Sequence, residues 1–198
     1  MKFVLQGNRP CLRSDDEMLA VDRTAADAAF RTYSKEILWG FLKEQGFRKW
    51  NTNSFVRRNQ IDLLEYLDLQ KERHGSKTMT VNYALMPLYV PTDYMILGFG
   101  GRLGMLIAGN DIWWDYANAE IAGRSFQNMT DAIGQFVLPW FRYFDDETAY
   151  TKQLQKDTRQ SFCGYDSKAW LAAAGIRNDR EQIIAETVKR LRLPQQLL

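Results

Sequence analysis

Three stretches decide how this chain folds: Ile61-Asp62-Leu63-Leu64-Glu65-Tyr66-Leu67-Asp68-Leu69-Gln70-Lys71-Glu72, a break at His74-Gly75-Ser76, and a second run from Lys77 to Leu88. Ile61, Leu63, Leu67 and Leu69 share one parity of the first run, and Met79, Val81, Tyr83 and Leu85 share one parity of the second. Side chains alternate across a strand, so this pattern on both sides of a glycine-containing turn reads as an antiparallel hairpin with one apolar face. Glu65 breaks the pattern. It stands on the apolar parity, where a charge must find a partner or a wet cavity. Just upstream, Phe55-Val56-Arg57-Arg58 reads as a short strand that turns at Asn59-Gln60. Its two arginines point to opposite faces, which places one of them to reach the inner face and pair with Glu65.

Helical patterns flank the hairpin. From about Thr24 to Gln45, the apolar positions Ala26, Ala29, Phe30, Tyr33, Ile37, Phe41 and Leu42 form a stripe wide enough to cover a sheet. Thr24 with Asp27 has the spacing of a capping box, and Gly46 supplies the stop. A second long helix is expected from Asn128 or Thr130, carrying Met129, Ile133, Phe136, Val137, Trp140, Phe141 and Phe144, with Pro139 kinking it. Between them, the glycine-rich Gly98 to Gly109 run lacks the Gly-Lys-Ser/Thr of a phosphate loop and has Leu103 where a dinucleotide loop needs its third glycine. It reads as a turn and a fourth strand. Beyond Thr148 the chain turns polar and helical, with Ile183, Ile184, Thr187, Val188 and Leu191 as a last apolar stripe before Pro194. The expected fold class is therefore α+β: an antiparallel sheet of about four strands flanked by two long helices. The expected division is an N-terminal arm (1–22), a core domain (23–147) and a helical C-terminal extension (148–198) packed on the core.

Composition removes several chemistries. One histidine, His74, lies in the hairpin turn, and the two cysteines, Cys11 and Cys163, are far apart. Zinc sites draw on clustered Cys and His, and nucleophile–histidine catalysis would have to use that single turn residue. The acidic run Asp15-Asp16-Glu17 fits a solvated helix start better than a cation site, so no metal and no cofactor is expected. A net charge of +2 without a clustered basic face argues against nucleic acid as a partner. The start of the chain has no leader-like apolar run, no stretch suits a membrane span, and the unpaired cysteines suit a reducing compartment. The expectation is a cytoplasmic protein.

Three landmarks occur in order: Leu42-Lys43-Glu44-Gln45-Gly46-Phe47 ahead of Ser54-Phe55-Val56-Arg57-Arg58, then the paired long strands, then Arg102-Leu103-Gly104 ahead of Trp113-Trp114. Together with Leu138-Pro139-Trp140-Phe141, they resemble the mainly bacterial family known as domain of unknown function 4304, over roughly Thr24 to Phe144. The resemblance implies an α+β fold with helices against an antiparallel sheet. It brings no activity and no catalytic residues.

Two functions compete. A non-enzymatic module that binds a protein partner would use Trp113 or Trp114, Arg102 and the open sheet face, with Asp111 and Asp115 flanking the tryptophans, because Trp dominates interface hot spots. Against this, both tryptophans can simply cap the end of the sheet, where large rings bury much apolar area. The alternative is an enzyme on a small anionic substrate, with Glu65, Asp68, Asp111 and Asp115 as acid and base and Arg57 or Arg102 holding the anion. Glu65, Arg102, Asp111, Trp113 and Trp114 are the candidate binding residues, and none is assigned as catalytic. For Glu65 a structural ion pair or an edge position on the sheet is favoured over a functional role.

Overall fold

The computed structural model describes residues 23–95, 99–156 and 179–198. The expected arm before residue 23, both cysteines, the run Asp15-Asp16-Glu17 and the middle of the C-terminal extension lie outside the described residues.

The hairpin forms where the alternation places it. Strand β3 (Leu63–Lys71) pairs antiparallel with β4 (Thr78–Pro87), Glu65 opposite Leu85 and Leu67 opposite Tyr83. His74 is exposed in the turn, which the Glu72 carboxylate organises by accepting from the His74 and Ser76 backbone amides. The sheet extends outward through β2 (Ser54–Arg58) and β1 (Arg48–Lys49) on one side and β5 (Phe99–Arg102) on the other. A two-residue strand, β6 (Trp114–Asp115), joins the far end of β4 opposite Thr78 and Met79. Among the described residues six strands thus stand where about four were expected, because the two shortest are too brief to show a period.

The register assigns the faces. Phe55, Arg57, Glu65, Leu67, Leu69, Val81, Tyr83, Leu85 and Phe99 share one face. The first helix, α1 (Arg23–Tyr33), runs through a π-helical segment (Ser34–Trp39) into α2 (Gly40–Glu44). It lays Trp39 parallel to Phe55 at 5.8 Å. Thr24 lies inside this helix rather than at its cap, and Asp27 instead pairs with Lys71 and Lys77, tying the helix to β3 and the turn. The helix stops as expected at Gly46, whose φ of 85° lets Gly46 N–H reach Lys43 and Phe47 N–H reach Leu42. Those two bonds satisfy carbonyls that a helix end leaves open.

The second long helix begins earlier than its apolar stripe suggests. It comprises α4 (Ala119–Ala132), a π-helical segment (Ile133–Val137) and α5 (Leu138–Tyr143). The Asn118 side chain caps it by accepting from Ile121 N–H. Its first half packs with small residues: Ala122 is fully buried, and Gly123 leaves room for the Tyr33 ring. A stripe of small residues gives a weak periodic signal. Pro139 follows a bond from Leu138 N–H to Ile133 carbonyl that has already shifted the ladder by one residue, where a missing N–H does least harm. Trp140 and Phe141 reach Tyr83 edge-on, at 4.9 and 6.5 Å, so both long helices cover the same face of the sheet.

The opposite face is apolar at one end and polar at the other. Val56, Leu64, Tyr66, Ala84 and Met86 belong to the same buried cluster as Ile184 and Val188 of α7 (Arg180–Arg190). Trp50 donates its indole N–H to the Leu191 carbonyl at the end of that helix. The polar end holds Ser54, Asp68, Gln70 and Asn82, bonded among themselves. Further along the chain, α6 (Glu147–Lys156) is started by Asp146, whose carboxylate accepts from Thr148 N–H, and its Tyr150 packs edge-on against Phe99, 5.7 Å away on the helix-facing side. Among the described residues no helix is long and apolar enough to cross a membrane.

Candidate functional site

The glycine-rich run folds differently from its reading as a strand. The strand is Phe99–Arg102, and Leu103–Ala108 is a short helix, α3, closed by Gly109 at φ 71°. The reason is local. Gly104 sits where a Cβ would lie 2.3 Å from the Ile112 amide nitrogen, so the loop after α3 folds back against its first turn. That close approach sets the geometry of everything from Arg102 to Trp114.

It brings three of the candidate residues together. Arg102 forms an ion pair with Asp111, and its guanidinium carbon lies 5.5 Å from the centre of the Trp113 ring. Trp114 pairs with Met79 and packs against the core, whereas Trp113 faces the arginine; neither ring is fully buried. The adjacent tryptophans thus divide as a two-faced segment requires. Around them, Met105 is 52% exposed, and Leu106, Ile107 and Ile112 are only partly covered.

Glu65 is elsewhere. It lies on the helix-facing side of the sheet, while Arg102, opposite Asn82, belongs to the other face. Arg57 is the arginine that reaches it, its Nε 2.5 Å from Oε2. The Glu65 side chain is 1% exposed, and its Oε1 has no hydrogen-bond partner among the described residues. Burial pushes the carboxyl up to about 7, with the nearby Asp145 charge adding to the rise and the Arg57 guanidinium opposing it. Arg57 also donates to the Gln45 carbonyl at the end of α2 and lies 4.7 Å from the Phe47 ring centre. One guanidinium therefore fastens helix end, strand and buried acid together.

Glu65 and Asp68, two of the carboxylates proposed for acid–base work, stand on opposite faces of the sheet. Asp68 lies on the face opposite Glu65, where Ser54 Oγ donates to it at 2.8 Å; Asp111 is paired with Arg102; and Asp115 accepts from Ala117 N–H. Acid–base pairs work across one bound substrate, and the sheet separates Glu65 from Asp68. Among the described residues no three Cys, His, Asp or Glu side chains are grouped as a metal ion requires.

A cleft that the sequence did not single out opens beside Arg57. It has a volume of about 400 Å³ and is lined by Gly46, Arg48, Arg57, Arg58, Asn59 and Glu181, together with the segment Gln196-Leu197-Leu198. Arg57 and Arg58 were visible as a charged pair on a short strand. Arg48 gave no signal, because only the turn at Gly46 carries it back beside them.

Residues 39–143, more than half of the chain, match the family model described as Domain of unknown function (DUF4304). No curated protein and no solved structure matches the chain. The matched span holds all six strands, both halves of the Arg57–Glu65 pair and the whole Arg102–Trp114 surface. The chain belongs to the DUF4304 family.

Proposed function

We propose that this chain is a protein-binding module and that it docks its partner on the surface running from Arg102 to Trp114. One observation carries the reading. Within ten positions, Met105 is 52% exposed, Ile112 and Trp113 are large, apolar and only partly covered, and Leu106, Ile107 and Trp114, which pack on the core, keep part of their surface open. A contiguous apolar patch rimmed by charge is the usual mark of an interaction surface. The Arg102–Asp111 pair forms that rim, and Arg and Trp are the residues most often found at interface hot spots. The partner would present an apolar or aromatic surface to Trp113 and Met105 and polar groups to the rim.

Affinity purification of the tagged chain from its own cell, compared with Trp113→Ala and Met105→Asp, tests this. The expected result is one stoichiometric protein retained by the parent and lost from both variants, with their thermal midpoints within about 3 °C of the parent, as for a change of roughly 1 kcal/mol. A partner that binds the variants as tightly as the parent excludes this surface. Recovery of free monomer alone from native extract argues against binding altogether.

A further inference from the structure

We infer that the cleft between the end of α2 and the β2–β3 turn binds a compact oxyanion, the phosphate or carboxylate group of a small molecule. Arg57 reaches this site from the helix-facing side of the sheet, Arg48 and Arg58 from the other side together with Glu181 of α7, and it shares no residue with the Arg102–Trp114 surface. Its walls are built from three arginines whose charges are unequally satisfied. Arg58 is fully engaged: it holds Asp62 with Nε and Nη2 at 2.9 and 2.6 Å, reaches Glu181 at 3.1 Å, and donates to the Leu197 carbonyl. Arg180 shares Asp62, its Nε 2.8 Å from Oδ2. Arg57 spends Nε on Glu65 and Nη1 on the Gln45 carbonyl, and its Nη2 has no protein partner among the described residues. Arg48 bonds only the carbonyl of its own neighbour, Phe47, at 3.2 Å, and has no carboxylate within ion-pair distance among the described residues.

Among the lining side chains three guanidinium groups thus stand beside one carboxylate, Glu181, while Asp62 and Glu65 hold Arg58 and Arg57 from behind. The excess falls on Arg48 and Arg57, which are also the ones with N–H groups to spare. A planar guanidinium offers paired donors that match the two oxygens of a carboxylate or phosphate, which selects an oxyanion over a halide or an apolar guest. The volume is at the small end of ligand clefts, suiting a charged group with a short attached body rather than a nucleotide-sized molecule. Arg57 is held in place before any ligand arrives, by Glu65, by the α2 carbonyl and by the Phe47 ring, so little side-chain order has to be purchased on binding. Glu181 is 77% exposed and already engaged by Arg58, which draws its charge toward the rim on that side.

Calorimetric titration of the full chain with inorganic phosphate and, separately, with acetate, at fixed ionic strength, tests the site. Saturable one-site binding of either anion is expected, and the tighter of the two identifies the preferred group. Arg48→Gln should weaken that binding about tenfold or more, the loss of one charge-assisted contact. Arg124→Gln, on the exposed face of α4, should leave it unchanged. In the unaltered protein, the amide resonances of Gly46, Arg48 and Asn59 should move with added anion. Absence of saturable binding by both anions overturns the inference, as does equal weakening by Arg48→Gln and Arg124→Gln. Resonance shifts confined to other parts of the chain overturn it too.

Discussion

A carboxyl group sealed between a sheet and two helices has two ways to lower its cost, to take a proton or to share a cation, and Glu65 combines them. Its folded value is raised from 4.5 to about 7, so the folded chain keeps a proton that the unfolded chain releases. Between those two values the unfolded state binds fewer protons, and stability falls as pH rises. The contribution of this group is fully present below about pH 4.5 and lost by about pH 7.5, on the order of 3 kcal/mol for a shift of that size. Glu65→Gln keeps the shape and an acceptor for Arg57 but cannot ionise. Urea denaturation between pH 5 and 8 should show a decline in the parent that the variant lacks, with the two closest near pH 5 and furthest apart near pH 8. A variant whose stability falls with pH just as the parent's does would show that Glu65 is ionised throughout. Arg57→Ala should be worse than Glu65→Gln at pH 8, by roughly 3 kcal/mol, because it strands a buried acid without its cation.

Among the elements, α3 and the loop after it depend on one missing side chain. A methyl group at Gly104 would press on the Ile112 amide and the Asn110 carbonyl, at 2.3 and 2.6 Å, and backbone cannot step aside as a flexible side chain can. Gly104→Ala should therefore cost about 3 kcal/mol in thermal denaturation, at the high end for overpacking. It should also separate Arg102 from Asp111, and so raise the exposure of Trp113, read as a red shift in tryptophan emission. A substitution that leaves both the thermal midpoint and the emission unchanged would mean the loop does not rest on α3. The two π-helical segments belong to the same scale. One precedes Pro139 and gives it a place in a continuous helix; for the other, at Ser34–Trp39, no local cause is visible in the sequence.

For the molecule as a whole, the question is how the C-terminal helix is joined to the sheet. The Asp62 side chain is the hinge pin: it stands between Arg58 on β2 and Arg180 at the start of α7, and Arg180 also donates to the Ile61 carbonyl. The Arg180 Nε is close enough to Asp62 for an ion pair, although its N–H is not aimed at the oxygen. Asp62 has φ 65°, a conformation that Asn also tolerates, so Asp62→Asn removes the charge without adding backbone strain. The expected outcome is a loss of about 2 kcal/mol, since two partly buried arginines are left with less counter-charge. Amide hydrogens of α7 should exchange faster than those of β3 and β4. Uniform acceleration across the chain would instead mean that α7 and the sheet open only together.

The hairpin, its faces and the two covering helices were legible in the sequence because alternation and helical stripes are local consequences of burial, written residue by residue. The partner of Glu65 was legible too, since a charge on an apolar parity leaves few ways out and Arg57 stood two strand positions from the turn. The start of α4 was not, because small residues pack closely without marking a period. The helix at Leu103–Ala108 was misread as a strand, since six apolar residues fit either form and only the contact at Gly104 decides between them. Which residues share a surface was beyond the sequence altogether. Arg48 and Arg58 meet at one cleft, and Arg102 meets Asp111 and Trp113, only because turns at Gly46 and Gly109 reverse the chain. Sequence fixes which groups must be buried or paired, whereas the packing of turns against elements decides which of the remaining charges and rings face solvent together.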